Sequence, residues 1–213
     1  MTANNPMRGL LTLTYFKTRG KIWGTVIYAL VMGGLYFVIG GEWTYNLFVV
    51  VCMIYLPLQA IAGMSENEGR WERFQISLPI KRKHLLKTQY LSLVFVVVLG
   101  GVILTASIGL STVIHEELFN YGFISAVLSS LYKYGMAFLA IGLCFTLSIV
   151  VGNFAAWIIA MLAPTILQFT LPDIAERVGV SIYTLSASVF IGSVVIFIVS
   201  YFIMKTVYGK YDF

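Results

Sequence analysis

Two histidines, two cysteines and nine carboxylates are the residues of this 213-residue chain that could ligate a metal, relay a proton or attack a substrate. Their spacing favours none of these. His84 and His115 lie in polar segments at opposite ends of an apolar run long enough to cross a bilayer, so they cannot share a metal or a proton relay. Cys52 and Cys144 each sit inside an apolar run without a CxxC or Cys/His pairing, and read as small buried hydrophobes. No HExxH, no GxSxG and no paired carboxylates project from the apolar segments, and no filter-like loop or charged ring suggests a selective channel. Gly20-Lys21 and Gly209-Lys210 invite comparison with a P-loop, but Ile22 and Tyr211 follow them where that motif needs a hydroxyl for Mg. The chain is therefore not expected to be an enzyme or to bind a cofactor. Its work must be driven from outside it or run downhill.

The elements that would position any site are set by composition. The chain is 59% hydrophobic and 11% charged, with a mean hydropathy of +0.89, whereas soluble domains carry about 25% charged residues. It reads as an all-α membrane protein, a single transmembrane domain over 1–213. About 20 apolar residues are needed to cross a hydrocarbon core about 30 Å thick, and six segments qualify: 22–40, 45–64, 90–114, 134–151, 154–171 and 182–204. The segment 115–133 reads as an outer loop in which 123–131 is interfacial or re-entrant and Lys133 snorkels to the headgroups, a single tilted helix being the alternative. No small-residue cleavage pattern follows the first span, which is expected to stay in the mature protein.

Six spans put both termini on one side. Arg8, Lys17, Arg19 and Lys21 precede the first span, six basic residues from Arg70 to Lys87 lie between the second and third, and Lys205 and Lys210 follow the sixth. Only Lys133 and Arg177 of the fourteen Lys and Arg remain for the other face, so the positive-inside rule makes the first face cytoplasmic. The net charge of +5 is thereby a matter of topology, and no nucleic-acid partner is expected.

Inside the bundle, Gly101, Thr105 and Gly109, and likewise Ala156 and Ala160, recur at four-residue spacing, which lets helix backbones approach closely within one subunit or across a dimer seam. Pro57 and Pro164 are expected to kink or locally open their helices. Gln59, Asn153 and Gln168 are the sizeable interior polar side chains; Asn153 belongs at the inner boundary, and the two glutamines read as interhelical glue.

The one long polar stretch is SENEGRWERFQISLPIKRKHLLKTQY, Ser65 to Tyr90. Ser65 with Glu68 forms a capping box, so a helix is expected from Glu66. Its turns place Trp71 and Phe74 on one face, flanked by Glu68 and Arg70, with Glu72 and Arg73 pointing away. Pro79 disfavours helix at Leu78 and can open a new helix through Lys81, Arg82 and Lys83 into the third span. A positive-inside loop with aromatic anchors and lysines on anionic lipid explains the charge and the Trp. It does not require the capped helix or the Leu-Pro break.

The acidic capped turn, the aromatic-bearing helix, Ser77-Leu78-Pro79-Ile80, the basic triplet and the Tyr90-Leu91 start of the next span resemble the small six-span permeases of the ABC-2 exporter family. Two departures stand out: Gln89 precedes Tyr90 where the family often has Lys, and Val151-Gly152-Asn153-Phe154 replaces basic residues that commonly join spans four and five. The resemblance implies that the loop 65–89 is a cytoplasmic coupling helix seated in a groove of a separate ABC ATPase dimer, which binds the ATP and Mg. Glu68, Arg70, Trp71, Glu72, Arg73, Phe74, Leu78 and Pro79 are then the coupling residues, with Trp71 and Phe74 as buried anchors. It implies an interfacial N-terminal helix within 1–21, with Met7, Leu10, Leu11 and Thr14 on one face, or else an unstructured basic tail. It also implies a second permease copy, identical or not, and a bacterial plasma-membrane location. The expected activity is ATP-driven export of an amphipathic or antimicrobial-type peptide, since small members export peptide toxins and bacteriocins; lipid or a hydrophobic drug would suit the same lining. A non-transporting scaffold or sensor recruiting a cytoplasmic partner through the same loop is the rival reading.

Overall fold

The structure, a computed structural model, describes residues 42–65, 82–114 and 131–209, together with 12, 15, 19–20, 22–24, 26–28, 30–31, 33–34, 124 and 127–128. Among the described residues every element is helical. α1 (Glu42–Val50) passes through a π-helical turn (Val51–Tyr55) into α2 (Leu56–Ser65); α3 (Arg82–Ile114), α4 (Leu131–Val151), α5 (Asn153–Val178) and α6 (Ile182–Gly209) follow. Four of these are long and apolar enough to cross a membrane: α3, α4, α5 and α6. Tyr45–Ile61 is a shorter apolar stretch. The scattered residues of 22–34 that are described are helical, with Val26 in the core and Gly33 close against the Phe48 ring.

Proline and glycine chemistry shapes the elements. Pro57 has no N–H and its ring crowds the carbonyl four residues back, that of Met53. The wide turn sits immediately upstream, over Val51–Tyr55, so the expected local opening is present at Pro57. At Pro164 no wide turn forms: α5 runs unbroken through both Pro164 and Pro172. Pro164 is buried against neighbouring helices, and surroundings of this kind let membrane helices tolerate a missing bond.

Gly152 alone links α4 to α5, at φ 83° and ψ 163°, a region open essentially only to glycine. Its carbonyl accepts from the Ala156 N–H at 3.0 Å. At the other end of α5, Gly179 adopts the left-handed conformation; its N–H bonds the Glu176 carbonyl and the Val180 N–H bonds that of Ala175, a Schellman close. α5 therefore extends to Val178, beyond the expected end at Leu171. Asp173, Glu176 and Arg177 shorten the apolar run without ending the helix.

The α1–π–α2 helix runs through the middle of the bundle. Phe48, Cys52 and Met53 enter one apolar cluster with Leu93, Val97, Leu104, Ala137 and Ile141. Ile54 and Leu58 enter another with Tyr132, Met136, Ala140, Cys144 and Ala160. Both cysteines are thus buried, in separate clusters. Around this centre α4 packs in parallel against α6 and antiparallel against α5. Gly135 meets Phe190 and Ser193, Gly142 meets Ile196 and Phe197, and a methyl on either glycine would lie 3.0 Å from the facing helix. On α6 Ser193 faces Gly135, and Ser186 and Ser200, seven residues to either side of it, are buried as well. Small residues at this repeat bring two backbones together where lipid removes any hydrophobic drive.

Candidate functional site

The eight residues expected to carry coupling, Glu68, Arg70, Trp71, Glu72, Arg73, Phe74, Leu78 and Pro79, lie outside the described residues, as do Met7, Leu10, Leu11 and Thr14. The frame that presents the segment 66–81 is described. α2 enters it at Ser65, and α3 leaves it at Arg82. Ser65 is still helical, in the last turn of α2, so it departs from the extended backbone that a capping-box residue adopts. α3 does run from the basic cluster into the span, as expected, and at 33 residues it is about 50 Å long against a hydrocarbon core of about 30 Å. Its first two residues, Arg82 and Lys83, precede the apolar stretch, which begins at His84. Arg82 and Lys83 stand in its first turn, the end of a helix that disfavours cations. Their placement answers to something outside the helix.

Just inside this loop end, α3 is clamped. Tyr90 is 5% exposed, stacks on Phe145 of α4 with ring centroids 4.9 Å apart, and lies 5.3 Å from Phe197 and 5.2 Å from Tyr201 of α6. Its hydroxyl shares a 3.0 Å hydrogen bond with Ser200, and the Ser200 hydroxyl is also 2.7 Å from the Phe197 carbonyl. A second tie lies toward the far end, where the Tyr134 and Thr105 hydroxyls are 2.8 Å apart. Gly101 faces the same Tyr134 ring, so the Gly101/Thr105 stripe packs within the subunit. Ala156 and Ala160, both wholly buried, do likewise.

At the far end of the bundle α1 is held twice. The Lys133 Nζ lies 4.2 Å from the centroid of the Tyr45 ring and 5.7 Å from that of Tyr132, and the Gln168 amide donates to the Asn46 carbonyl at 3.1 Å. The position of Lys133 departs from the sequence expectation: it is 8% exposed and turned onto aromatic rings. The ring faces offer the ammonium an electrostatic partner within the bundle, so it need not reach for headgroups. Gln168 serves as interhelical glue, as expected, although its Oε1 is buried without a hydrogen-bond partner among the described residues. Asn153 is exposed at the start of α5.

The hydroxyls that line the spans are largely committed to their own helices. Thr88, Ser107, Thr165, Ser188 and Ser193 each donate to the carbonyl four residues back at 2.7–2.9 Å, which removes them as ready ligands for a polar solute. An open depression of about 440 Å³, lined by Pro172, Glu176, Val180 and Ile182 among others, sits on the far-end turn and does not enter the bundle. Gly100, Gly135, Gly142, Tyr90 and Ser200 escape a reading based on charged residues and four-residue repeats. For Gly135, Gly142 and Ser200 the signal is a seven-residue recurrence, Gly135/Gly142 with Ser186/Ser193/Ser200; Tyr90 is marked only as the start of a span, and Gly100 carries no such signal.

A sequence model described as ABC-2 family transporter protein matches residues 10–208. The chain belongs to the ABC-2 transporter family. Proteins of this family are membrane components of transporters, and the apolar helices make this ABC-2 chain a multi-pass membrane protein. No curated protein and no solved structure matches it.

Proposed function

We infer that this ABC-2 family chain is the permease subunit of an ATP-driven exporter, powered by a separate cytoplasmic ABC ATPase dimer that binds the ATP and Mg. The family match carries this reading, and the sequence supports it, because no GxxxxGK[ST] occurs in these 213 residues. The segment 66–81 is the coupling element in this reading. It hangs between α2 and α3, and it holds Trp71 and Phe74 as anchors with Glu68, Arg70, Glu72 and Arg73 as polar rim. Leu78 and Pro79 make the break before α3. The spans number six, with 22–40 and 45–64 completing the four long ones, and both termini face the cytoplasm of a bacterial plasma membrane.

One copy offers few helices for a conduit, so two permeases face each other across the path. The cargo is an amphipathic or antimicrobial-type peptide. The spans carry a single buried cation, Lys133, among the described residues, and their lining hydroxyls are largely self-bonded. Such a wall suits an amphipathic chain better than a small ion, which demands fixed charge or dipoles.

The test is co-purification from the native host in mild detergent. An ABC ATPase is expected with the wild-type chain, and Trp71→Ala combined with Phe74→Ala is expected to abolish its capture and permease-stimulated ATP hydrolysis. Capture of a non-ATPase protein through the same loop, or unchanged coupling in the double variant, overturns the reading.

A further inference from the structure

The π turn is the least expected part of the fold, because i→i+5 helix is rare and occurs mostly as single turns, often at functional positions. Here it lies at the centre of the bundle, with Val51, Cys52, Met53 and Ile54 all buried. The wide turn pushes the Cys52 carbonyl against α3 at Gly100. A methyl group built on Gly100 would lie 2.5 Å from that oxygen, a distance no side chain can accept against backbone. The notch and the wide turn therefore fit one another.

The two halves of the helix are held unequally. α1 is fastened at the far end by Lys133 on the Tyr45 ring and by Gln168 on the Asn46 carbonyl. α2 leads through Ser65 directly into the polar segment 66–81. Converting the wide turn to α geometry while α1 stays fixed adds one ordinary helical step, turning α2 by about 100° and advancing it about 1.5 Å toward the loop. Each residue of α2 then takes the angular place of a sequence neighbour. Leu58 and Ala60 are fully buried, whereas Gln59 between them is only partly so. Two costs keep the α register minor: the turn of the helix would carry Gln59 into an apolar position, and α geometry would press the Pro57 ring onto the Met53 carbonyl.

We propose that Val51–Tyr55 is a two-register switch in which the Cys52 carbonyl either occupies the Gly100 notch, as a π turn, or leaves it as α2 rotates and advances toward the segment 66–81. That this segment drives the switch rests on the coupling reading above. The existence of two registers does not, and the experiment uses the chain alone so that each can fail separately.

The chain holds two cysteines, so ¹³C-cysteine labelling of the full-length protein in lipid gives one reporter in the turn and one, Cys144, inside the regular helix α4. The wild type is expected to show a main Cys52 signal and a second one at a population on the order of 1–10%. Gly100→Ala fills the notch and disfavours the wide turn, while Gln59→Leu removes the polar cost of the rotated register without touching Cys52. Both are expected to raise the ratio of this second signal to the main one by about tenfold, with Cys144 unmoved as the check that the fold is kept. If one variant loses the Cys144 signal, the other decides. A single Cys52 signal that Gln59→Leu leaves in place, or two variants that move Cys52 to unrelated positions, overturns the switch.

Discussion

Gly142 shows how a single hydrogen atom can set the distance between two helices. Its missing side chain leaves room for Ile196 and Phe197 of α6, and Gly135 does the same one heptad earlier for Phe190 and Ser193. Overpacking such a seam costs about 1–3 kcal/mol, so Gly142→Leu is expected to lower the unfolding midpoint in detergent, whereas Gly192→Ala, with nothing within 4 Å of the new methyl, leaves it in place. The polar ties are weaker. Hydrogen bonds between membrane helices average about 0.6 kcal/mol in double-mutant cycles, and the Thr105–Tyr134 pair is expected to show a coupling of that size in a Thr105→Val, Tyr134→Phe cycle. A coupling above about 2 kcal/mol would mean that the pair is part of a larger polar network than these two hydroxyls.

The two exceptional glycines at the ends of α5 differ in a way that predicts different substitutions. Gly179 sits at φ 68°, ψ 24°, where asparagine is tolerated, while Gly152 at φ 83°, ψ 163° occupies ground that only glycine uses. Gly179→Asn is thus expected to be nearly silent and Gly152→Asn to cost about 1–3 kcal/mol in a chemical denaturation series. The elements themselves were legible wherever apolar run length decides them: α3, α4, α5 and α6 all lie where the hydropathy places spans. Their ends were less so, because Asp173, Glu176 and Arg177 interrupt the apolar pattern and leave the backbone bonding untouched. Pairing was hardest to read. In lipid every apolar face is equally at home, so a Leu stripe does not name its partner, and only the glycines and serines at seven-residue spacing mark the α4–α6 seam. The wide turn at Val51–Tyr55 lies where Pro57 predicts an opening, yet Pro164 leaves α5 free of one, and a proline in an apolar run does not by itself tell the two outcomes apart. The assignment of Glu68 to Pro79 to coupling rests on the family pattern alone, and these positions lie outside the described residues.

Across the whole molecule the helices alternate so that Ser65, Arg82, Val151 and Gly209 share one end and Tyr45, Leu131, Val178 and Ile182 the other. The proposed topology puts the first of these ends in the cytoplasm. In a Cys52→Ala, Cys144→Ala background, a cysteine at exposed Val178 is expected to react with a membrane-impermeant maleimide added outside intact cells, and one at exposed Asn153 only after the cells are opened. The reverse pattern would invert the orientation and with it the coupling proposal. The helix α6 exposes Ile191, Val195, Ile198, Val199 and Phe202, and α3 exposes Phe95, Val98 and Val102, so both present broad apolar walls to lipid or to a second copy. The one-residue link at Gly152 reaches further than local geometry. With no loop between them, α4 and α5 offer the insertion machinery no polar stop at which to release one helix before the other. The pair is expected to enter lipid as one hairpin, and because its tight end, Val151 to Asn153, carries no Lys or Arg to hold it in the cytoplasm, its orientation is set by basic residues in other parts of the chain.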